Sequence, residues 1–337
     1  MKKIICLILS VLMLFSLTAC GEQKGDGKVQ IKYYAEASDL IPALKNGAET
    51  IGLLPEPAVS NLLKMSKDYS IKLDIQQVYG GGYPQAVIVA KKSVIESDGA
   101  FINEIVTGIS QGASWMLMDN HNAVDAVKKV NNHLYEIEPS LNQNTITSDI
   151  VRRCNISYES ATTAKASVIE YLQALISVEE SATVIPSDAF FYDGTSETED
   201  LDGSYLVVAP DGAPALALAR LIYLQEQSIS QSREVEYRIV SATTIASYVK
   251  NTEEGKLGDI VILPVNAAAK LIGNGEKYQM VGVATHGNLY IVSNQGSISS
   301  LKDLQNKRIG VFGQGNVPDL TLRYLLNSNG IEYKQAD

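Results

Sequence analysis

The chain has 337 residues, is 45% hydrophobic, and carries 28 basic against 38 acidic side chains for a net charge of −10. An acidic excess of this size speaks against nucleic acid and anionic lipid surfaces as partners. The length is enough for one or two ordinary cores, and three cysteines are too few for a disulfide framework to stand in for them.

Lys2 and Lys3 open the chain, followed by an apolar run from Ile4 to Leu17 and then Leu17-Thr18-Ala19-Cys20. A basic start, a short apolar stretch and small residues describe a secretory signal over residues 1–19, too short for an ordinary transmembrane span. A branched apolar residue, two small residues and then a cysteine make the lipoprotein pattern, so Cys20 is the expected lipidation site; the other reading is an ordinary signal with an incidental free thiol. Residues 20–28, rich in Gly, Lys, Asp and Gln, have nothing to bury and suit a lipidated tether. Loss of Lys2 and Lys3 leaves 26 basic residues against 38 acidic, a net charge of −12. Only Cys154 then accompanies Cys20.

Val29 to Tyr34 reads as a strand, and the loop Ala35-Glu36-Ala37-Ser38 offers Ser38 as N-cap of a helix over Asp39 to Lys45. After a break at Asn46-Gly47, a strand from Thr50 to Leu54 ends in Leu-Pro, and Glu56-Pro57-Ala58 opens a helix to about Lys64. A strand from Ser70 to about Val78 leads to Gly80-Gly81-Gly82-Tyr83-Pro84 and the strand Ala86 to Ala90. The glycine triplet reads either as a hinge or as a wide turn. Helical periodicity follows over about Gly99–Met118, Asn122–Asn132, Asn144–Cys154 and Ser160–Ile176; Trp115, on the apolar side of the first, is expected in the core. Residues 193–203, polar and acidic, read as a linker.

Tyr205 to Ala209 is a strand that turns through Pro210–Pro214 into a helix. At Ile239 the plan of Val29–Leu63 begins again. Ile239-Val240 and Ser241-Ala242-Thr243-Thr244 lead to a helix ending near Asn251, then a strand over Asp259–Leu263 also ends in Leu-Pro. Pro264-Val265-Asn266-Ala267 opens a helix to Ile272, with Gly273 as its stop. The shared Leu-Pro-x-x-Ala order favours duplication over chance, and two equivalent βαβ lobes would set strand ends and helix starts face to face across a cleft. Strands at Met280–Ala284 and Leu289–Ser293 flank the loop Thr285-His286-Gly287-Asn288. A short capped helix at Ser297–Leu304, a strand at Ile309–Phe312, the loop Gly313–Pro318 and a helix over Asp319–Asn327 complete the chain.

The inventory for catalysis is thin. No metal spacing links the three histidines, His121, His133 and His286. The loop after Phe312 lacks the Lys-Ser/Thr of a phosphate-cradling loop and the third glycine of a dinucleotide fingerprint. What recurs instead is the strand-to-helix junction, which can aim backbone N–H groups at one small molecule. The candidate ligand-binding residues are therefore Glu36 and Ser38, Glu56, Asp211 with Gly212 and Ala213, Asn266, and Gly313, Gly315 and Asn316, with Tyr83 and His286 beside them. The acidic members lean toward a ligand with an amine or a heterocyclic donor, and Tyr34, Tyr83, Phe312 and His286 either stack on such a ring or simply pack at strand ends. Binding without covalent chemistry is expected: not an enzyme, no cofactor and no metal.

Four segments carry a family resemblance: Ile51-Gly52-Leu53-Leu54-Pro55-Glu56-Pro57-Ala58; Tyr83-Pro84-Gln85-Ala86-Val87; Arg153-Cys154-Asn155-Ile156; and Leu301-Lys302-Asp303-Leu304 followed by Lys307-Arg308-Ile309-Gly310-Val311-Phe312-Gly313. With them the chain after Lys28 resembles the nitrate/sulfonate/taurine and thiamine-pyrimidine-precursor class of ABC-transporter substrate-binding lipoproteins. The resemblance implies an α/β, type II periplasmic-binding-protein fold. It further implies a lipid-anchored, extracytoplasmic and monomeric receptor that closes two lobes on a small molecule and delivers it to a membrane permease. Yeast-type pyrimidine synthases share the fold but carry a cysteine-rich motif that is absent here. In the family, the part like Ser204–Asp337 comes first, so this chain resembles a circular permutation. One lobe would then be continuous over residues 79–300, with linker 193–203. The other would be assembled from 29–78 plus 301–337, with Tyr333–Asp337 close to Gly27-Lys28. A ligand-sensing lipoprotein that signals to a membrane partner is the alternative on the same fold.

Overall fold

The computed structural model describes residues 26–227, 233–250 and 257–336. The expected signal, Cys20 and most of the tether lie outside the described residues, as does the expected helix end near Asn251. The α/β, two-lobed class is as expected. One six-stranded sheet contains β1 (Val29–Tyr34), β2 (Ile51–Pro55), β3 (Ser70–Asp74), β10 (Leu289–Ser293), β11 (Arg308–Phe312) and β12 (Tyr333–Gln335), in the order β12-β1-β11-β2-β10-β3. The other contains β4 (Pro84–Lys91), β5 (Ile156–Ser160), β6 (Ser204–Pro210), β7 (Glu234–Val240), β8 (Ile260–Pro264) and β9 (Tyr278–His286), in the order β5-β9-β4-β8-β6-β7.

The chain crosses from the first sheet to the second and back. β4 follows β3 but joins the second sheet, β10 follows β9 but joins the first, and both run antiparallel to their neighbours. Outward from these crossing strands the sheets read β10-β2-β11-β1 and β4-β8-β6-β7, with parallel pairing beyond the first step. The two copies of the repeated plan thus occupy equivalent places, and β2 and β8 share one burial pattern, four buried residues and a half-exposed proline. At the far edge of the first sheet, β12 lies parallel to β1. There Lys334 pairs with Asp26 (2.6 Å) and Lys28 with Glu332 (2.7 Å).

The helices are α1 (Ala37–Lys45), α2 (Ala58–Met65), α3 (Ile75–Tyr79), α4 (Lys92–Ser97), α5 (Gly99–Met118), α6 (Asn120–Asn131), α7 (Ser148–Arg153), α8 (Ala161–Val178), α9 (Ala213–Ala217), α10 (Ala219–Glu226), α11 (Val265–Ile272) and α12 (Val317–Ser328). One core joins both sheets through α8 and α12; a second lies under α5 to α7 and α9 to α10, and a third under α1 and α2. Trp115 packs partly buried on the second core, 5.0 Å from Tyr223. The fit of α1 on its sheet depends on a glycine pair in register, Gly310 opposite Gly52. A Cβ on Gly310 would meet the Leu40 side chain at 2.4 Å, and one on Gly52 would meet Leu44 at 2.8 Å.

Several expected boundaries give way to local cap chemistry. The cap of α1 is Glu36, not Ser38, because Glu36 and Asp39 form a reciprocal capping box that satisfies two orphan amides at once. The strand expected to reach Val78 stops at Asp74, whose carboxylate caps α3 by accepting from the Gln77 amide (3.1 Å). The helix expected from Asn144 begins at Ser148 behind its cap Thr147. After Ser241 only a 3-10 turn, Ile245–Tyr248, forms where a helix was expected. The short capped helix is a 3-10 turn, Leu301–Leu304, with a Ser300–Asp303 box. The 193–203 segment is strapped to α4 and α5 through Ser196 and Thr198. α4 and β5 had no periodic signal of their own.

Candidate functional site

The C-terminal ends of β1 and β2 face the second lobe across a polar seam. Nearest the crossing strands stands Glu56, just past β2, its side chain fully buried. Arg153 at the end of α7 donates from Nε to its Oε1 (2.6 Å) and from Nη2 to Ser60 Oγ (2.9 Å). Ser60 grips the same carboxylate through its hydroxyl (2.9 Å) and its amide (3.2 Å). The Glu56 amide donates to the Asn288 carbonyl (3.0 Å), and Gln85 Nε2 donates to Asn288 Oδ1 (2.8 Å). This ion pair is therefore tied directly into the return between β9 and β10.

Further out, α2 meets residues 140–145. Asn61 Nδ2 donates to the Ser140 carbonyl (2.7 Å), Thr145 Oγ1 donates to Asn61 Oδ1 (2.9 Å), and Lys64 Nζ donates to the Asn144 carbonyl (2.5 Å). Asp211, at the end of β6, accepts from the Ser140 amide and the Gly212 amide, both at 2.7 Å. Burial pushes the Asp211 carboxyl above the usual carboxylate range, and the charge of Glu36 adds to the effect. Outermost, Glu36 accepts from the hydroxyls of Ser241, just past β7, and Thr243.

Two short connections join the lobes, residues 75–83 and 287–288. Gly80, Gly81 and Gly82 have φ of 111°, 128° and 109°, so the triplet lies on one of the connections. The other is clamped to it: the Gly287 amide donates to the Tyr83 carbonyl (2.9 Å), and Gln76 Oε1 accepts from the Leu289 amide (2.8 Å). Tyr83 stacks on Tyr171 (4.9 Å, 19°) and meets Tyr79 edge-on (5.1 Å). Burial drives the Tyr79 hydroxyl up to about 12 and that of Tyr83 well above its ordinary value. A Cβ on Gly287 would lie 2.6 Å from the Tyr83 ring.

Of the residues expected from sequence, the seam brings together Glu36, Ser38, Glu56 and Asp211, with Gly212 and Ala213 beside Asp211. Ser38 only reaches Glu36 at 3.5 Å. Tyr83 is enclosed in the aromatic pivot, and His286 is engaged by Ser157 (2.8 Å) and Glu159 (3.3 Å) on β5. The Gly315 amide is taken by Asp319 (2.9 Å), which also accepts from Tyr33 (2.9 Å); burial raises that carboxyl. The Gly313 amide is taken by the Tyr34 carbonyl (3.0 Å) and the Asn316 amide by the Gly313 carbonyl (2.9 Å). Asn266, at the start of α11, is buried with its Oδ1 unpartnered. Sequence reasoning missed Arg153, Ser60, Asn61, Ser140 and Thr145 as seam residues. Arg153 stood inside one of the segments that carried the resemblance but offered no sign of its partner.

A separate recess of about 870 Å³ lies between α4, the start of α8 and residues 188–196, lined by Lys92, Lys165, Asp188, Phe191, Tyr192 and Gln279 among others. It contains none of the expected residues, and Lys165 is paired with Asp188 (2.8 Å). Among the described residues no helix is long and apolar enough to cross a membrane, and Cys154 is a buried thiol raised well above its ordinary value by desolvation.

No protein-family model matches the chain, and no curated protein does. Among solved structures it is similar to Staphylococcus aureus NikA in complex with Ni(L-His)2, at 8% identity and a TM-score of 0.31, over 69% of this chain and 39% of that one. It is also similar to the oligopeptide-binding protein AppA of Bacillus subtilis in complex with a nonapeptide, at 10% identity and a TM-score of 0.27, over 77% of this chain and 54% of that one. A third similar structure is the ABC transporter substrate binding protein CtaP of Listeria monocytogenes, at 11% identity and a TM-score of 0.27, over 77% and 53%. The chain spans between 39% and 54% of the length of these proteins.

Proposed function

We propose that this chain is an extracytoplasmic solute-binding lipoprotein, anchored through Cys20, that closes two lobes over a small polar or heterocyclic molecule and delivers it to an ABC importer. The observation that carries the reading is the facing of strand ends. β1 and β2 of one lobe end opposite β6, β7 and residues 140–153 of the other, and among the described residues two short connections join the lobes. Ligands of open α/β sheets sit outside the carboxyl ends of the strands, and a seam of hydroxyls, amides and carboxylates supplies oriented polar contacts when it opens. The meeting of Asp26–Lys28 with Glu332–Lys334 at one sheet edge supports a circularly permuted order within the nitrate/sulfonate/taurine and thiamine-pyrimidine-precursor class. The binding step needs no covalent chemistry, and the protein acts as a monomer.

The test is a thermal-shift screen of the mature, unlipidated chain against nitrate, alkylsulfonates, taurine, aminopyrimidines and polyamines. A ligand at 100 times its Kd adds about 2.7 kcal/mol, a shift of several degrees at this size. A saturable shift with one class is expected. A cooperative melt that none of these compounds moves would overturn the reading in favour of a lipoprotein that signals to a membrane partner.

A further inference from the structure

The seam contacts differ in their distance from the pivot, and this gives them different work. The inference rests on the solute-capture reading. Glu56 follows β2, the immediate neighbour of the crossing strand β10, whereas Glu36 follows β1, three places out; Ser241 follows β7, three places out from the crossing strand β4. With strands about 4.8 Å apart, the outer contact has a lever arm of about 14 Å. An opening rotation of about 10° about the two connections moves the Glu36 pair by about 2.5 Å and the Glu56 pair by less than about 1 Å. A hydrogen bond does not survive the first displacement and accommodates the second.

Both sides of the outer contact are preorganised. On the first lobe, Glu36 is held by its capping box with Asp39, whose Oδ2 accepts from the Glu36 amide at 3.0 Å. On the second, Ser241 Oγ accepts from the Thr243 amide (3.1 Å) and lies 2.7 Å from Thr243 Oγ1, so both hydroxyls present to one carboxylate oxygen. We propose that Glu36 with Ser241 and Thr243 is the mouth latch of the cleft: it sets the ratio of closed to open molecules, and with it the residence time of the ligand. Glu56–Arg153 stays engaged beside the pivot.

The test reads the lobes directly, by pulsed electron-spin distance measurement between labels at Lys45→Cys on the first lobe and Met118→Cys on the second, both exposed. In this background Glu36→Ala lowers the closed-to-open ratio about tenfold, the value of one hydrogen bond to a charged group, and Glu36→Gln, which keeps a carbonyl acceptor, loses less. Because Glu36→Ala also removes a helix cap, the same shift is sought from the other lobe with Ser241→Ala/Thr243→Val. All three changes together add nothing to either set alone. Distances unchanged by Glu36→Ala, or effects that add fully in the combined variant, would overturn the latch. The distances are read without ligand, so a failed ligand screen refutes the receptor reading and leaves the latch to its own test.

Discussion

Replacing Arg153 with alanine strips the guanidinium from a carboxylate that has no access to water. The Glu56 side chain is fully buried and keeps only the two Ser60 contacts, while Arg153 itself is 34% exposed. Breaking a fully buried pair from one side costs about 3–5 kcal/mol. Water that enters the space left by a partly exposed arginine recovers part of this, so the expected loss is about 2 kcal/mol, or roughly 4 °C in Tm. Calorimetry of the apo protein at pH 7 measures it, and Arg153→Ala/Glu56→Gln, which removes the orphaned charge as well, is expected to regain about half of the loss. A single variant that melts within about 1 °C of the parent, or a double variant no more stable than the single, would refute the argument that Glu56 depends on Arg153 across the seam.

Three further outcomes follow from particular contacts. Gly287→Ala places a Cβ 2.6 Å from the Tyr83 ring and 2.9 Å from Gln76, and is expected to lose about 1–3 kcal/mol in urea unfolding through overpacking at the pivot; an unchanged midpoint would show that the pivot is loosely packed. Asp98 is fully buried against Arg233. Burial alone would raise its carboxyl, but the hydrogen bonds from Arg233, Tyr205 and the Phe101 amide hold it below its ordinary value. A depressed carboxyl contributes stability above its unfolded value near 3.9 and loses it as pH falls through the lower folded value. Asp98→Asn therefore loses about 3 kcal/mol at pH 7, and the deficit shrinks in melts below about pH 4; a deficit that stays constant with pH would contradict the assignment. Gly315 has φ of 74°, so Gly315→Val strains the backbone by about 1–2 kcal/mol and, on the solute-capture reading, weakens binding in titration without unfolding the protein. Unchanged affinity would remove that loop from the site.

How much was legible from the chain follows the range of the interactions. The strands ending in Leu-Pro, the long helices α5, α8 and α12, and the equivalence of the two repeated copies were readable because periodicity and turn residues act within a few positions. The helix start moved from Ser38 to Glu36, and the strand expected to reach Val78 stopped at Asp74, because the carboxylates of Asp39 and Asp74 take the Glu36 and Gln77 amides. Both are local effects, and a stricter search for reciprocal caps would have found the first.

The seam was decided by tertiary structure. In sequence, Glu36 and Glu56 look alike, each an acid after a strand and before a helix. Folding brings Arg153, 97 residues away, to Glu56, and Ser241, 205 residues away, to Glu36, and no periodicity records partners at that separation. The place of β10 was equally hidden: Leu289–Ser293 reads as apolar whichever sheet it completes, and it joins the first sheet rather than the lobe expected over 79–300. The sequence by itself determined the kinds of element and the polar junctions that close them. Only the packing of two sheets around one pivot decided which junctions face each other, because that choice is made by strand order, and strand order is a property of the whole chain.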